Sequence, residues 1–147
     1  MHRASDQGCS PGSHILNLEL PVRRNSAGTM RQRLTEFLVA CAVSERERAD
    51  LLLAAEEALV NAFMHSGDIE GPIVVEAICR DQRAVITVTD RGCGFDSGHR
   101  DVHAVPDLFR PCGRGLFLIH ALMDRVEVIS GGGGTTVRMT KSIVSRS

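Results

Sequence analysis

The sequence predicts an α+β fold, a two-layer α/β sandwich in which about three helices cover one face of a mostly antiparallel mixed sheet. Several short stretches alternate apolar and polar residues or are rich in β-branched residues, which is typical of strands. Longer stretches place apolar residues three and four positions apart, which is the period of a helix. The predicted order β-α-α-β-β-α-β-β groups strands as hairpins with helices between them, as in α+β sandwiches.

The composition is that of one globular domain. The 147 residues suffice to bury a core, and 43% of them are apolar while 24% are charged. A net charge of −1 argues against direct nucleic-acid binding through a broad basic surface. No apolar run reaches the ~20 residues that cross a membrane, and the polar N-terminus lacks a signal-peptide stretch. We therefore expect a cytoplasmic protein, with residues 1–12 as a disordered tail and 13–147 as a single domain.

The positions of the cysteines and of the single lysine argue against a disulfide framework, a zinc site and a P-loop phosphate site. The five cysteines include no C-x-x-C pair, so the sequence indicates neither a disulfide framework nor a zinc site. We expect reduced thiols that serve as small apolar residues. Lys141 is the only lysine among 17 basic residues, and it lies outside any G-x-x-x-x-G-K pattern. A P-loop phosphate site is therefore absent.

The N-terminal half predicts one strand and two helices. Pro21 ends the strand, and Gly67 ends the second helix. Glu47 follows Ser44 by three residues, which is the pattern of a capping box at the start of that second helix. The predicted elements are a strand at 14–20, a helix at about 26–41 and a helix at 44–66.

The C-terminal half predicts four strands and one helix, separated by a long segment without a period. A short hairpin turn joins the first two strands, and four glycines at 131–134 join the last two. Residues 91–112 are rich in Gly, Pro, Asp and His, and a long loop of this kind is usually functional or disordered. The predicted elements are strands at 72–80 and 83–90, a helix at 113–124, and strands at 125–130 and 135–142.

A polar stripe runs along the second predicted helix. Glu57, Asn61 and His65 recur every four residues and span about 80° of arc, opposite an apolar side that would pack on the sheet. Glu57 could act as a general base, and the amide oxygen of Asn61 could ligate Mg²⁺. Glu56 points about 100° away from that stripe, so spacing selects Glu57. The alternative is a solvated polar face with ordinary hydrogen bonds.

Three glycine- or threonine-rich motifs follow. In Asp90–Phe95, a strand-end carboxylate could accept the exocyclic amine of a purine, and Gly92 and Gly94 would let backbone approach a flat ligand. In Gly113–Ile119, glycines at a helix start could bind phosphate through free N–H groups. In Gly134–Val137, two threonine hydroxyls could be structural or could reach a ligand. Each motif is weak alone.

The order of these motifs resembles the GHKL ATPase superfamily, which includes gyrase, Hsp-type chaperones, histidine kinases and MutL-like proteins and shares the Bergerat-type ATP-binding fold. "EEALVNAFMH" resembles its N box, "DRGCGF" its first glycine box and "GRGLFLIHALMD" its second, over residues 14–141. Within the superfamily the chain is most similar to the small anti-sigma-factor serine/threonine kinases, with "N-A-x-x-H", "G-x-G-L" and "G-T-T-V".

The resemblance implies a role for each matching residue. Glu57 would be the general base, Asn61 the Mg²⁺ ligand, and Asp90 the residue that holds the adenine amine. Either Thr135 or Thr136 would make a polar contact near the adenine, and His65 would be structural. The remaining nucleotide contacts implied are Gly92, Gly94, Arg110, Gly113, Arg114, Gly115 and Leu116, with Arg100 as a further candidate to offset phosphate charge.

The resemblance also implies an activity and partners. We expect a bacterial Mg·ATP-dependent serine/threonine kinase that phosphorylates a small anti-sigma-factor antagonist, releases ADP, sequesters a sigma factor and forms a homodimer. The alternative is a non-catalytic ATP-binding module, in which ATP shapes a surface that binds partner proteins.

Overall fold

The computed structural model describes residues 14–23, 25–66, 71–90, 111–131 and 134–143. Among these residues, five strands and three helices follow one another in the predicted order β-α-α-β-β-α-β-β. The elements are β1 His14–Leu20, α1 Ser26–Ala40, α2 Glu45–Ser66, β2 Ile73–Arg80, β3 Arg83–Asp90, α3 Pro111–Leu122, β4 Arg125–Gly131 and β5 Gly134–Ser142. None of the three described helices combines the length and the hydrophobicity of a membrane-spanning segment.

The strands form one open sheet in the order β1-β2-β3-β5-β4. All four pairings within the described residues are antiparallel. The helices pack on one face of this sheet, where the inward residues of neighbouring strands align in register. One such row is buried, and it consists of Leu18, Val75, Val88 and Val137. The predicted α+β sandwich is confirmed.

The β2–β3 hairpin turns through two residues in the left-handed region. Asp81 has φ 53° and Gln82 has φ 62°. Positive φ at both central residues is the conformation of the tight turns that match the twist of paired strands. The short hairpin predicted from the sequence is confirmed, although neither residue is the glycine that such turns favour.

The helices owe their packing to apolar stripes. In α1, Met30, Leu34 and Leu38 are fully buried at four-residue spacing. In α2, Leu51 and Leu59 are fully buried on the side that faces the sheet. Burial of a leucine side chain contributes about 1.5–3 kcal/mol, so these few residues hold both helices on the sheet.

The predicted cap of α2 forms at Ser44. The Ser44 hydroxyl accepts a hydrogen bond from the Glu47 backbone N–H at 3.2 Å and donates one to the Glu47 carboxylate at 2.9 Å. The hydroxyl therefore satisfies one of the free N–H groups at the helix start, which is worth about 1 kcal/mol. Glu45 and Glu47 in the first turn also favour the positive end of the helix dipole.

The C-terminal end of α1 is closed by a Schellman motif. The Ala42 N–H bonds the Val39 carbonyl at 2.9 Å, and the Val43 N–H bonds the Leu38 carbonyl at 3.1 Å. Ala42 has φ 63°, the left-handed conformation that glycine usually supplies at this position. Val43 and Leu38 are both buried beneath the turn. The motif fixes Cys41, the C-cap residue, against the core.

Helix α3 begins earlier than the sequence predicts. The glycine-rich motif suggests a start at Gly113, but Pro111 and Cys112 are already helical. Pro111 is the first helical residue, where a fixed φ suits the helix and the missing N–H leaves no bond unmade. Gly113 and Gly115 therefore lie inside the first turns, where they lower the helix propensity. The helix ends at Leu122 rather than at Asp124.

The only lysine joins three elements. Lys141 on β5 donates a hydrogen bond to the Leu122 carbonyl at the end of α3, at 3.0 Å. Its Nζ also lies 3.4 Å from the Asp50 carboxylate on α2. A cation at a helix C-terminus is favourable, and this one is largely shielded from water. Lys141 therefore has a structural position, at the far end of β5 from the threonines.

The Schellman motif makes a stability prediction. Ala42→Gly should raise the free energy of unfolding by about 1 kcal/mol, because glycine adopts a positive φ without the steric cost that alanine has. Ala40→Gly, two residues earlier in the last turn of α1, should lower it by about the same amount. Urea denaturation of both variants and the wild type measures the two changes. Destabilisation by both substitutions would show that Ala42 is not strained.

Candidate nucleotide site

Asp90 ends β3 on the face that the helices cover. Its position continues the buried alternation of Ala84, Ile86 and Val88, and the residue is only 5% exposed. Burial raises the pKa of the Asp90 carboxyl above its ordinary value, and a hydrogen bond from the Thr135 backbone N–H partly opposes that shift. The site thus contains an acceptor carboxylate shielded from water.

The sheet register separates the two threonines that the sequence left as alternatives. Thr135 is the direct cross-strand partner of Asp90, so it lies on the same face of the sheet. Thr136 pairs with Thr89, and their hydroxyls are 3.2 Å apart on the opposite face. Of the two, Thr135 is therefore the one beside the candidate site.

Asn61 on α2 is a buried amide. It is 7% exposed, and its Nδ2 atom has no hydrogen-bond partner among the described residues. Ala58 and Ala62 beside it are also buried, so this part of the stripe does not face solvent. A buried polar group without a hydrogen-bond partner lowers the free energy of unfolding by about 1–3 kcal/mol. Such a group needs an explanation, and a bound ligand or ion that supplies the partner is one. The alternative of a solvated polar face is wrong at Asn61.

Glu57 and Glu56 lie in different surroundings. Glu57 is half-buried, one helical turn before Asn61. Glu56 forms an ion pair with Arg31 on α1, which ties it to the neighbouring helix. The solvent face of α2 is made by Leu53 and Val60, which are both exposed. Of these two acids, Glu57 is therefore the one that lies on the same side of the helix as Asn61.

Helix α3 brings the second glycine motif next to α2. The two helices pack together, and α2 also packs on β3. Leu116 is half-buried against the core. Because α3 starts at Pro111, the Gly113 N–H belongs to the first turn, whose N–H groups have no partner within the helix. The helix start can therefore still offer N–H groups to an anion.

Several predicted site residues lie outside the described part of the chain. They are Gly92, Gly94, Arg100 and Arg110, together with the side chains of His65 and Arg114. The predicted disordered tail at 1–12 also lies outside it. The described residues thus supply a buried carboxylate, a buried amide, a half-buried acid and a helix start, on elements that pack against one another.

Comparison with known proteins identifies the family. The profile of the histidine kinase-like ATPase domain matches residues 20–141. The chain belongs to the histidine kinase-like ATPase family. The match includes every motif that the sequence resemblance used, from the helix of Asn61 to the strand of Thr135. ATP binding follows from the family, and the resemblance seen in the sequence is confirmed.

Curated relatives narrow the family to anti-sigma kinases. The chain is 31% identical over 137 residues to the serine-protein kinase RsbW of Listeria monocytogenes, and the aligned region covers 87% of each protein. It is 30% identical to the serine-protein kinase RsbW of Bacillus pumilus, covering 86% of this chain and 85% of the relative. It is 25% identical to the anti-sigma F factor of Bacillus thuringiensis, covering 86% and 90%. The predicted enzyme class, a protein serine kinase, is confirmed by the relatives named serine-protein kinase and by the kinase-like ATPase domain.

Solved structures share the fold. A structure of the RsbU and RsbW domains of a Mycobacterium tuberculosis protein superposes with a TM-score of 0.69 and 26% identity. It covers 90% of this chain, which spans about a third (34%) of that longer chain. The histidine kinase domain of a blue-light activated kinase from Erythrobacter litoralis superposes with a TM-score of 0.51 at 19% identity, over 80% of this chain and 59% of its own. That second likeness shows the fold alone.

The buried carboxyl makes a prediction about stability and pH. Because burial raises the pKa of Asp90, the folded state keeps this proton to a higher pH than the unfolded chain does. The stability that Asp90 contributes is therefore present below its unfolded pKa and lost as pH rises through its folded pKa. Asp90→Asn removes that loss and can still accept the Thr135 N–H bond. Its free energy of unfolding should exceed that of the wild type towards neutral pH.

Urea denaturation across the acid-to-neutral range measures this difference. Asp81→Asn, on the exposed hairpin, makes the same chemical change in water and is the matched control. Parallel pH profiles for Asp90→Asn and the wild type would contradict the prediction.

Proposed function

We propose that this protein is a Mg·ATP-dependent serine/threonine kinase that phosphorylates a small anti-sigma-factor antagonist and also binds a sigma factor. The observation that carries the proposal is the buried side-chain nitrogen of Asn61, which has no hydrogen-bond partner in the part of the chain that the structure describes and lies one turn after Glu57. It is supported by the relatives named serine-protein kinase RsbW and anti-sigma F factor. Regulation of transcription would then proceed through protein binding, without contact to nucleic acid.

The adenine would be held at the end of β3. The Asp90 carboxylate can accept the exocyclic amine, and its burial excludes water that would compete for that bond. Thr135 stands beside it and can add a second polar contact, directly or through water. Gly92 and Gly94 would let backbone lie under the base.

Asn61 is the residue that fits a metal ion. Rotation of its amide presents the oxygen where the unpartnered nitrogen lies, and an amide oxygen is a suitable ligand for Mg²⁺. When bound, Mg²⁺ would supply positive charge that offsets the phosphates of ATP. The chain has no P-loop lysine, so Arg114, Arg110 and the N–H groups at the start of α3 would share that task.

Glu57 would act on the partner's hydroxyl. Its carboxylate would accept the proton from the serine or threonine as the hydroxyl oxygen bonds to the γ-phosphorus and the bond to ADP breaks. The half-buried position of Glu57 leaves it open to an approaching partner on one side. Rigid burial of the same helix on the sheet would keep the acid and the amide at a fixed spacing.

The assembly is also part of the proposal. One domain over 13–147 would form a homodimer, with α1 and β1 as its surfaces, and light scattering measures its mass. A sigma factor and its antagonist would bind in the cytoplasm, where RNA polymerase acts. Co-purification with tagged protein followed by mass spectrometry would identify both partners.

The two neighbouring acids of α2 provide the central test. Glu57→Ala should reduce phosphate transfer from labelled ATP to the antagonist by at least a hundredfold, because the general base is lost. ATP affinity should change little, since Glu57 does not hold the nucleotide. Glu56→Ala is the matched control, and it should keep the wild-type rate because Glu56 is paired with Arg31.

Full transfer activity in Glu57→Ala would contradict the assignment of the base. No transfer by the wild type, despite ATP binding and partner binding, would favour the alternative of a non-catalytic ATP-binding module.

The two threonines of β5 provide a second matched pair. Thr135→Val should weaken ATP binding several-fold, because it removes the hydroxyl beside Asp90. Thr136→Val removes only the contact with Thr89 on the other face of the sheet, so ATP affinity should stay at the wild-type value. Calorimetric titration with ATP compares them. A larger loss of ATP affinity in Thr136→Val than in Thr135→Val would show that Thr136, and not Thr135, contacts the nucleotide.

A further inference from the structure

The solvent-facing side of α2 changes character along the helix. In its first turns the exposed residues include Glu45 and Arg46, as expected of a helix surface that meets water. Between residues 50 and 63, all of which the structure describes, the exposed residues are Leu53 at 39% and Val60 at 46%, and both are apolar. The side that carries polar groups in an ordinary surface helix is therefore apolar along the middle of α2.

Glu57 lies between these two apolar residues. From the helix geometry, Leu53 lies about 6 Å before Glu57 along the axis, and Val60 lies about 4.5 Å after it. The three side chains leave the helix within about 60° of arc, so they form one line of adjacent side chains, the α2 stripe. The half-buried acid of the candidate site is thus bordered by exposed apolar surface on both sides.

The polar residues next to the α2 stripe are engaged elsewhere. Glu56 forms an ion pair with Arg31 of α1, so its charge is compensated within the protein. Asn61 follows Val60 in the sequence, but it is buried and faces away from solvent. The α2 stripe therefore presents one carboxylate, that of Glu57, between two apolar side chains and beside the candidate nucleotide site.

We propose that the α2 stripe binds an extended segment of the substrate protein, with apolar residues two positions before and two positions after the accepting serine or threonine. The inference rests on the proposed function, since it takes Glu57 as the base. Residues two apart in an extended segment point to the same side and lie about 6.5 Å apart. With the hydroxyl at Glu57, the flanking side chains therefore reach Leu53 and Val60. The stripe is one side chain wide, which suits an extended segment better than a helix of about 10 Å diameter.

Binding of this segment has two effects on the proposed reaction. Contact with Leu53 and Val60 removes apolar surface from water, which is favourable in proportion to the area covered. The same contact shields Glu57 from water, and a hydrogen bond between its carboxylate and the substrate hydroxyl is stronger in such surroundings. A segment with polar residues at the two flanking positions lacks both effects. Leu53 and Val60 therefore determine which serine or threonine is accepted.

Fluorescence anisotropy with two synthetic peptides tests the proposal without requiring catalysis. Both peptides have one central serine and the same composition. In the first, leucines stand two positions before and after the serine, and in the second they stand directly beside it and point to the opposite side. With Mg²⁺ and a non-hydrolysable ATP analogue present, the full chain should bind the first peptide at least tenfold more tightly than the second.

Two variants of the chain assign the preference to the α2 stripe. The double variant Leu53→Gln, Val60→Gln should bind both peptides equally weakly. Ile129→Gln changes an equally exposed apolar residue on the uncovered face of the sheet, so it should keep the wild-type preference. Circular dichroism melts and titration with the ATP analogue should give wild-type values for both variants, which shows that the fold and the nucleotide site are intact.

Transfer of labelled phosphate separates this proposal from the proposed function. A preference for the first peptide in binding, without phosphate transfer to that peptide or to a protein partner, would support the α2 stripe and contradict the kinase function. Equal or undetectable binding of the two peptides by the wild type would overturn the proposal, even if the chain phosphorylates a protein partner. A preference that persists in the double variant would overturn it as well.

Discussion

The simultaneous burial of α2 against the sheet and against α3 is the constraint on which the rest of the structure depends. A helix with neighbours on two sides must be apolar over most of its circumference, and small residues let those neighbours approach closely. Fully buried alanines supply this, at Ala54, Ala55 and Ala58. The few polar groups that remain on the buried sides are therefore conspicuous. Asn61 and the half-buried Glu57 are the polar groups that this packing holds in fixed positions.

The buried polar groups of the candidate site lower the stability of the folded protein. Asn61 has a buried amide nitrogen without a partner among the described residues, and Asp90 has a carboxyl whose ionised form is disfavoured by burial. Neither arrangement helps the fold by itself. Local conflicts of this kind concentrate at functional sites, because a ligand can satisfy the groups that the protein leaves unsatisfied. The stabilising devices lie elsewhere, at the ends of α1 and α2 and at Lys141.

The sequence was sufficient for the order of the elements and for the family, because periodicity and motif spacing are local properties. It could not choose between Thr135 and Thr136, because the answer depends on the register of β5 against β3. It placed the start of α3 at the glycines rather than at Pro111, because a proline reads equally well as loop or as first helical residue.

The order of strands in the sheet has a consequence for synthesis of the protein. Strand β5 lies between β3 and β4, although it follows both in the chain. Within the described residues β4 pairs only with β5, so it stays without a partner until β5 has left the ribosome. The sheet can therefore be completed only after nearly all of these elements have been translated, although β1, β2 and β3 can pair earlier. Until then β3 presents an unpaired edge and the Asp90 carboxyl lacks its Thr135 neighbour, so a nascent chain cannot complete the candidate nucleotide site early.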